Sequence, residues 1–149
     1  MTITGTIDAI LKNKTTGLWS ITPEATVFEA IKIMADKNIG ALLVTADEKL
    51  VGIISERDYT RKVALKGKSS KETAVREIIS TPVITASPAH SVEECLRLMT
   101  DHRVRHLPVL DGERMLGVIS IGDLVNWVIS GQDVAIKQME NYIAGNYYC

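Results

Sequence analysis

The sequence predicts an α/β (α+β) chain made of two βαββα repeats packed about a pseudo-twofold axis, and three observations predict it. The first is duplication: residues 22–58 lie without a gap over 87–123, at a constant shift of 65. Pro23 meets Pro88, Val27 meets Val92, Glu29 meets Glu94, Met34 meets Met99, Asp36 meets Asp101 and Val44 meets Val109. The second is that helical spacing and apolar runs alternate in the same order in both copies. The third is the closing stretch Gly52-Ile53-Ile54-Ser55-Glu56-Arg57-Asp58, which aligns with Gly117-Val118-Ile119-Ser120-Ile121-Gly122-Asp123. Two similar units packed about a local twofold create two equivalent clefts, and function is expected there.

Each element has its own cause. A lead-in helix is predicted at Thr6 to Leu11, followed by a first strand at Leu18 to Ile21. Val27, Ala30, Ile31 and Met34 then recur at i, i+3, i+4 and i+7, which puts one apolar stripe on a helix, and Val92, Cys95, Leu96 and Met99 repeat it. Thr26 with Glu29, and Ser91 with Glu94, are S/T-x-x-E capping boxes, so the two helices begin at equivalent positions. The apolar runs Ile39 to Val44 and Leu50 to Ile54 flank the turn Asp47-Glu48-Lys49 and predict a hairpin. Val104 to Leu110 and Met115 to Ile119 do the same around Asp111-Gly112-Glu113. Runs this apolar predict strands covered on both faces. Further helices are predicted after Ser55, through roughly Lys66, and after Ser120, through about Ser130. Between the copies lie a polar bend, Gly67 to Lys71, a short helix from Thr73 to Ile79, and the second copy's first strand at Val83 to Ala86. The repeats are bounded at 14–71 and 77–135, leaving 136–149 as a helical tail, and apolar spacing at Val134, Ile136, Met139 and Ile143 predicts a helix for packing or dimerisation.

A chain of 149 residues with 46% hydrophobic and 23% charged content suits one compact domain or two intimately packed halves. A net charge of −1 argues against a general nucleic-acid binder. Cys95 and Cys149 form neither a disulfide framework nor a metal knuckle, which predicts a reduced, cytoplasmic protein. The N-terminal residues lack the pattern of a secretory signal, and no apolar run is long enough to span a bilayer.

The doubled Gly-h-h-Ser-x-x-Asp, with h apolar, and the strand containing Leu107-Pro108-Val109 resemble the tandem cystathionine β-synthase (CBS) domain pair, or Bateman module, over about Lys14 to Ser130. Ser55-Glu56-Arg57-Asp58-Tyr59 is similar to its stand-alone bacterial members. The resemblance implies adenine nucleotides (AMP, ADP, ATP or NAD) bound between the repeats, with the Asp of one copy taking the ribose and the other copy enclosing adenine. One site would combine Asp123, Ser120 and Val118 with Trp19, Ile39, Gly40, Ala41 and the stretch Lys14 to Gly17. The other would combine Asp58, Ser55 and Ile53 with Ile84, Val104, Arg105, His106 and the stretch Ile79 to Pro82. It further implies a homodimer, with any effector protein unknown.

Physically, a Ser at the end of a strand and an Asp in the next helical turn set a hydroxyl and a carboxylate beside free backbone amides, where anions are favoured. Ser-x-x-Asp is equally a capping box that needs no ligand. The sites are not equal: Arg105, which the resemblance implies near phosphate, is matched by Gly40, while Arg57 and Arg61 are matched by Gly122 and Asn126. Arg103 and Arg105 could alternatively form a solvated strand edge, and Trp19 could stack on adenine or fill an interface. His102 and His106 bridge a helix end and a strand, poor geometry for zinc, and His90 lies in a loop. Cys95 belongs to the apolar stripe. Without a nucleophile elbow, a P-loop or a metal-spaced cluster, no catalytic residue, metal ligand or catalytic cofactor is assigned. The function expected is a non-catalytic regulatory sensor, and the alternative is a ligand-free structural dimerisation module.

Overall fold

Strand and helix termini fall where capping residues and turn conformations dictate. The computed structural model describes residues 3–14, 17–79 and 81–131. The elements run α1 (Ile7–Asn13), β1 (Ser20–Ile21), α2 (Val27–Lys37), β2 (Ala41–Ala46), β3 (Lys49–Ser55), α3 (Glu56–Tyr59), α4 (Val92–His102), β4 (His106–Asp111) and β5 (Arg114–Ser120). Residues 121–131 form α5. The helical tail predicted at 136–149 lies outside the described residues.

The duplication recurs in local geometry. Thr26 and Ser91 each accept a hydrogen bond from the amide of the glutamate three residues on, at 3.1 and 3.0 Å, and each glutamate accepts the cap residue's own amide in return. Both helices end at a left-handed residue, Asn38 at φ 54° and Arg103 at φ 55°. The buried stripes are Val27, Ala30 and Met34 in α2, and Val92, Cys95 and Met99 in α4. Cys95 is therefore core, as its spacing predicts.

The chain folds as two compact units whose boundary does not follow the repeats. Among the described residues, one comprises 3–14, 86–107 and 119–131, and the other 17–79, 81–85 and 108–118. The cause is an exchange of lead-ins. Val27 and Phe28, opening α2, donate their amides to the carbonyls of Thr73 and Ser70, and Val75 and Arg76 return bonds to Ala25 and Pro23. Thus the segment leading into the second repeat packs on the helix of the first. In the other unit, Ile7 and Asp8 of α1 donate to His90 and Pro88, and Val92 donates to Gly5. The first repeat's lead-in thereby packs on the second repeat's helix.

The strand order β1-β2-β3 makes β2 the centre of a three-stranded sheet, parallel to β1 and antiparallel to β3. That position explains why Ala41 to Val44 are all buried. β3 is only partly covered, so the expectation of strands covered on both faces holds for the middle of β2 and of β4 but not for β3 or β5. Asp47 and Glu48 both have positive φ, the type I′ pattern that matches strand twist, whereas the β4–β5 turn places Gly112 at φ 63°.

Three expectations need correction. Val83 to Ala86 is not a strand: only Ala86 makes an isolated bridge, and Pro82 and Pro88 bracket the segment with residues that cannot donate to a ladder. Among the described strands, β4 pairs with β5. The helix after Ser55 keeps α geometry only to Tyr59, then widens into a π-helical turn, Thr60–Ala64, closed by the Leu65 amide on the Thr60 carbonyl. The helix expected at Thr73 to Ile79 is one 3₁₀ turn, Val75–Glu77.

Candidate functional site

Both aspartates stand where a strand hands over to a helix, and both are caps. Ser55, last in β3, donates its amide to Asp58 Oδ2 at 2.9 Å and its hydroxyl to the same oxygen at 3.0 Å, while Asp58 returns its amide to Ser55 Oγ at 3.2 Å. Ser120, last in β5, repeats the reciprocal amide bonds with Asp123 at 2.8 and 3.1 Å. The preceding loops are also equivalent. The carbonyl of Gly40 accepts the first helical amide, from Glu56, at 3.1 Å, and the carbonyl of Arg105 accepts that of Ile121 at 2.8 Å.

Each carboxylate has recruited a lysine, from different places. Asp58 Oδ1 lies 3.3 Å from Lys62 Nζ one turn along, and that ammonium also donates to the Ile78 carbonyl at 2.9 Å. Asp123 Oδ2 takes Lys14 Nζ at 2.8 Å, across 109 residues of sequence. Sequence spacing explains the difference: the position equivalent to Lys62 is Trp127, and that equivalent to Lys14 is Ile79. Burial pushes the Asp123 carboxyl upward, but the Lys14 and Ser120 hydrogen bonds and the lysine charge outweigh it and hold the group below its ordinary value.

Among the sequence-predicted residues, the structure therefore joins Lys14, Ser120 and Asp123 in one unit. In the other it joins Ser55 and Asp58 with Gly40, which receives the Glu56 amide, and with Ala41, which pairs with Ser55 across β2–β3. Ile53 pairs with Leu43 in the same ladder. Gly17 approaches Trp19 closely enough that a Cβ there would lie 3.3 Å from the indole. Trp19 is 38% exposed, with the Lys37 ammonium 4.3 Å above its ring, so both of its expected roles compete with a cation–π contact. Ile39 and Gly40 line a hollow of about 220 Å³ with Ile31, Met34, Ala35, Asn38 and Glu56.

Arg57 lies in α3, and Arg61 in the π-helical turn. Ile79, Pro82 and Ile84 occupy the irregular segment before α4. Of these, Pro82 contributes to an open cavity of about 410 Å³, which also takes Leu50, Val83 and Leu110 and contains neither aspartate. Val104 and Arg105 connect α4 to β4, His106 opens β4, and Val118 lies in β5. Lys62 escaped the sequence reading, although an Asp58–Lys62 spacing of i, i+4 on a helix was there to be seen. Among the described residues no cluster of three or more His, Cys, Asp or Glu side chains could hold a metal ion.

The sequence model of the CBS domain matches residues 11–65 and 75–130. The chain belongs to the CBS-domain family. It is 39% identical over 151 residues to the mitochondrial CBS domain-containing protein CBSX3 of Arabidopsis thaliana, covering 95% of this chain and 73% of that one. A CBS-domain protein of Burkholderia ambifaria, named for a proposed signal-transduction role, superposes with a TM-score of 0.82 at 50% identity, covering 86% of this chain and 96% of its own. The CBS domain NE2398 gives a TM-score of 0.80 at 46% identity, over 85% and 98% of the two chains. The molecule thus contains a tandem pair of CBS repeats. Among the described residues, no helix is long and apolar enough to cross a membrane.

Proposed function

We propose that this CBS pair is a non-catalytic regulatory module that binds adenine nucleotides, AMP, ADP, ATP or NAD, in clefts between its two repeats. The observation that carries the proposal is the repeated triad of strand-end serine, helix-start aspartate and recruited lysine. A carboxylate beside a cation and a helix N-terminus suits a ligand that is part diol and part phosphate: the acid accepts ribose hydroxyls, and the amides and ammonium donate to phosphate. In this reading the nucleotide changes the geometry of a homodimer or of a partner protein in the cytoplasm. The repeats are bounded near 14–71 and 77–135.

A ligand that binds only the folded chain raises its melting temperature by mass action. Saturating AMP, ADP, ATP or NAD is expected to raise it, and Asp58→Ala with Asp123→Ala is expected to abolish the shift. No shift with any of these nucleotides would overturn the proposal. Denaturing the freshly purified protein and weighing the released small molecules would name the ligand.

One observation favours a second reading. Both carboxylates are already engaged in reciprocal caps, so neither requires a ligand. As a ligand-free dimerisation module, the chain would lose about 1 kcal/mol per aspartate removed, with every partner interaction intact.

A further inference from the structure

We propose that the turn Ser87-Pro88-Ala89-His90 is a proton-sensitive clasp for α1: neutral His90 closes it, and acidification loosens α1 from the start of α4. This device is independent of the nucleotide reading.

α1 has no side-chain cap, so its opening amides need carbonyls from elsewhere. The turn supplies them: Ile7 donates to the His90 carbonyl at 3.0 Å and Asp8 to the Pro88 carbonyl at 3.1 Å. The turn itself is closed twice. The His90 amide donates to the Ser87 carbonyl at 3.1 Å, and the Ser87 amide donates back to His90 Nδ1 at 2.7 Å. A backbone amide can only donate, so Nδ1 accepts and the ring proton stands on Nε2. The Ser87 hydroxyl, 3.2 Å from Nδ1, meets the same lone pair. A second proton on the ring occupies that lone pair, and the side-chain closure opens.

The first repeat is a built-in control. Thr22 to Ala25, 65 residues earlier, close the same backbone bond at 3.2 Å, and the carbonyls of Ala25 and Pro23 accept from Val75 and Arg76 at 2.8 and 2.9 Å. Ala25 stands where the second repeat has His90, so that docking carries no titrating side chain. The charges around the second turn are Asp8, paired with Lys12 on α1, and on α4 Glu93, paired with Arg97, and Glu94. Glu94 accepts the Ser91 amide, and its charge reaches His90 and favours an imidazolium. Carboxylates as a class titrate near about pH 4 and lysine and arginine above about pH 10, so among these groups only the histidine changes charge between about pH 8 and about pH 5.5.

The test is amide exchange followed by NMR, corrected for its intrinsic pH dependence, at about pH 7.5 and about pH 5.5. The full chain is compared with His90→Ala, the residue that the first repeat carries in this turn, and with His90→Asn, whose Oδ1 can accept the Ser87 amide but does not titrate. In the wild type, opening at Ile7 and Asp8 should rise about twofold to tenfold on acidification, the usual net contribution of one amide hydrogen bond, while Val75 and Arg76 stay level. Both variants should lose the rise. The ¹⁵N signals of His90 at the higher pH should place the ring proton on Nε2. A proton on Nδ1, an equal rise at Val75 and Arg76, or a rise that survives in either folded variant would overturn the clasp. Ile7 and Asp8 amides left unprotected at both pH values would overturn it too.

Discussion

Gly52→Ala isolates the reason for glycine in the motif that closes the first repeat. Gly52 is buried in β3 opposite Val44. A Cβ built there would lie 2.8 Å from Ile79 Cδ1, 3.0 Å from Ile79 Cβ and 3.3 Å from Ile79 Cγ1. Carbon atoms in comfortable contact sit about 3.5–4.0 Å apart, so the shortest approach is too close by roughly half an ångström or more. Ile79 Cδ1 can rotate away, but its Cβ is fixed to the backbone, and either β3 or the chain at Ile79 must shift. Overpacking of this kind costs about 1–3 kcal/mol, and each kcal/mol lowers the melting temperature of a chain this size by about 2–4 °C. Urea denaturation of Gly52→Ala, Ile79→Ala and the double variant closes a thermodynamic cycle. Shrinking Ile79 should cost less in the Gly52→Ala background, with a coupling of about 0.5–3 kcal/mol. Because Ile79→Ala keeps its Cβ, the cycle reads the Cδ1 and Cγ1 contacts, and if the two changes add, those contacts are not what the added methyl meets.

Three further outcomes are expected. Asp123 titrates below its ordinary value in the folded chain, so its stabilisation is fully present above the unfolded carboxylate value and is lost as pH falls through the lower folded one. Melting temperatures taken from about pH 7 to about pH 3 should fall less steeply for Asp123→Asn than for wild type, and equal slopes would contradict the Lys14 contact. Burial pushes the Cys95 thiol up to about 11, so in a Cys149→Ser background a thiol reagent at about pH 8 should leave native protein unlabelled and react after unfolding; rapid native labelling would place Cys95 outside the core. Thr26→Ala and Ser91→Ala remove matched caps, and each should cost about 1 kcal/mol in urea denaturation, whereas a large inequality would mean that the duplicated boxes carry unequal loads.

The sequence was most informative where a local rule acts alone. Both capping boxes, both apolar stripes, both hairpins and the burial of Cys95 follow from spacing and from the preference of free amides for side-chain oxygens. It was least informative where tertiary context chooses. Val83 to Ala86 reads as a strand on apolar content, but its flanking prolines leave it irregular apart from the bridge at Ala86. The π-helical turn after Tyr59 has no sequence signature comparable to a cap. At the candidate site, Ser55, Asp58, Ser120 and Asp123 were legible from the repeated motif, and Lys14 entered only through resemblance. Its pairing with Asp123 spans 109 residues, a separation over which no periodicity speaks. Lys62 could have been found from helical spacing, but the arginines Arg57 and Arg61 beside it were singled out instead.

The exchange of lead-ins changes what the duplication means. If each repeat were self-sufficient, its own lead-in would satisfy the amides that open its first helix; instead Thr73 and Ser70 serve α2, and Gly5 serves α4. Each capping box comes from its own repeat, while Thr73 of the second repeat's lead-in serves α2 and Gly5, ahead of the first repeat, serves α4. The same exchange makes the two aspartates unlike despite matching caps. Asp58 takes its cation from one turn further along its own helical segment. Asp123 takes its cation from the end of α1, the segment docked against the opening of α4. Lys62 likewise donates to the Ile78 carbonyl, at the end of the segment docked against the opening of α2, so each lysine links its aspartate to the lead-in that serves the neighbouring helix.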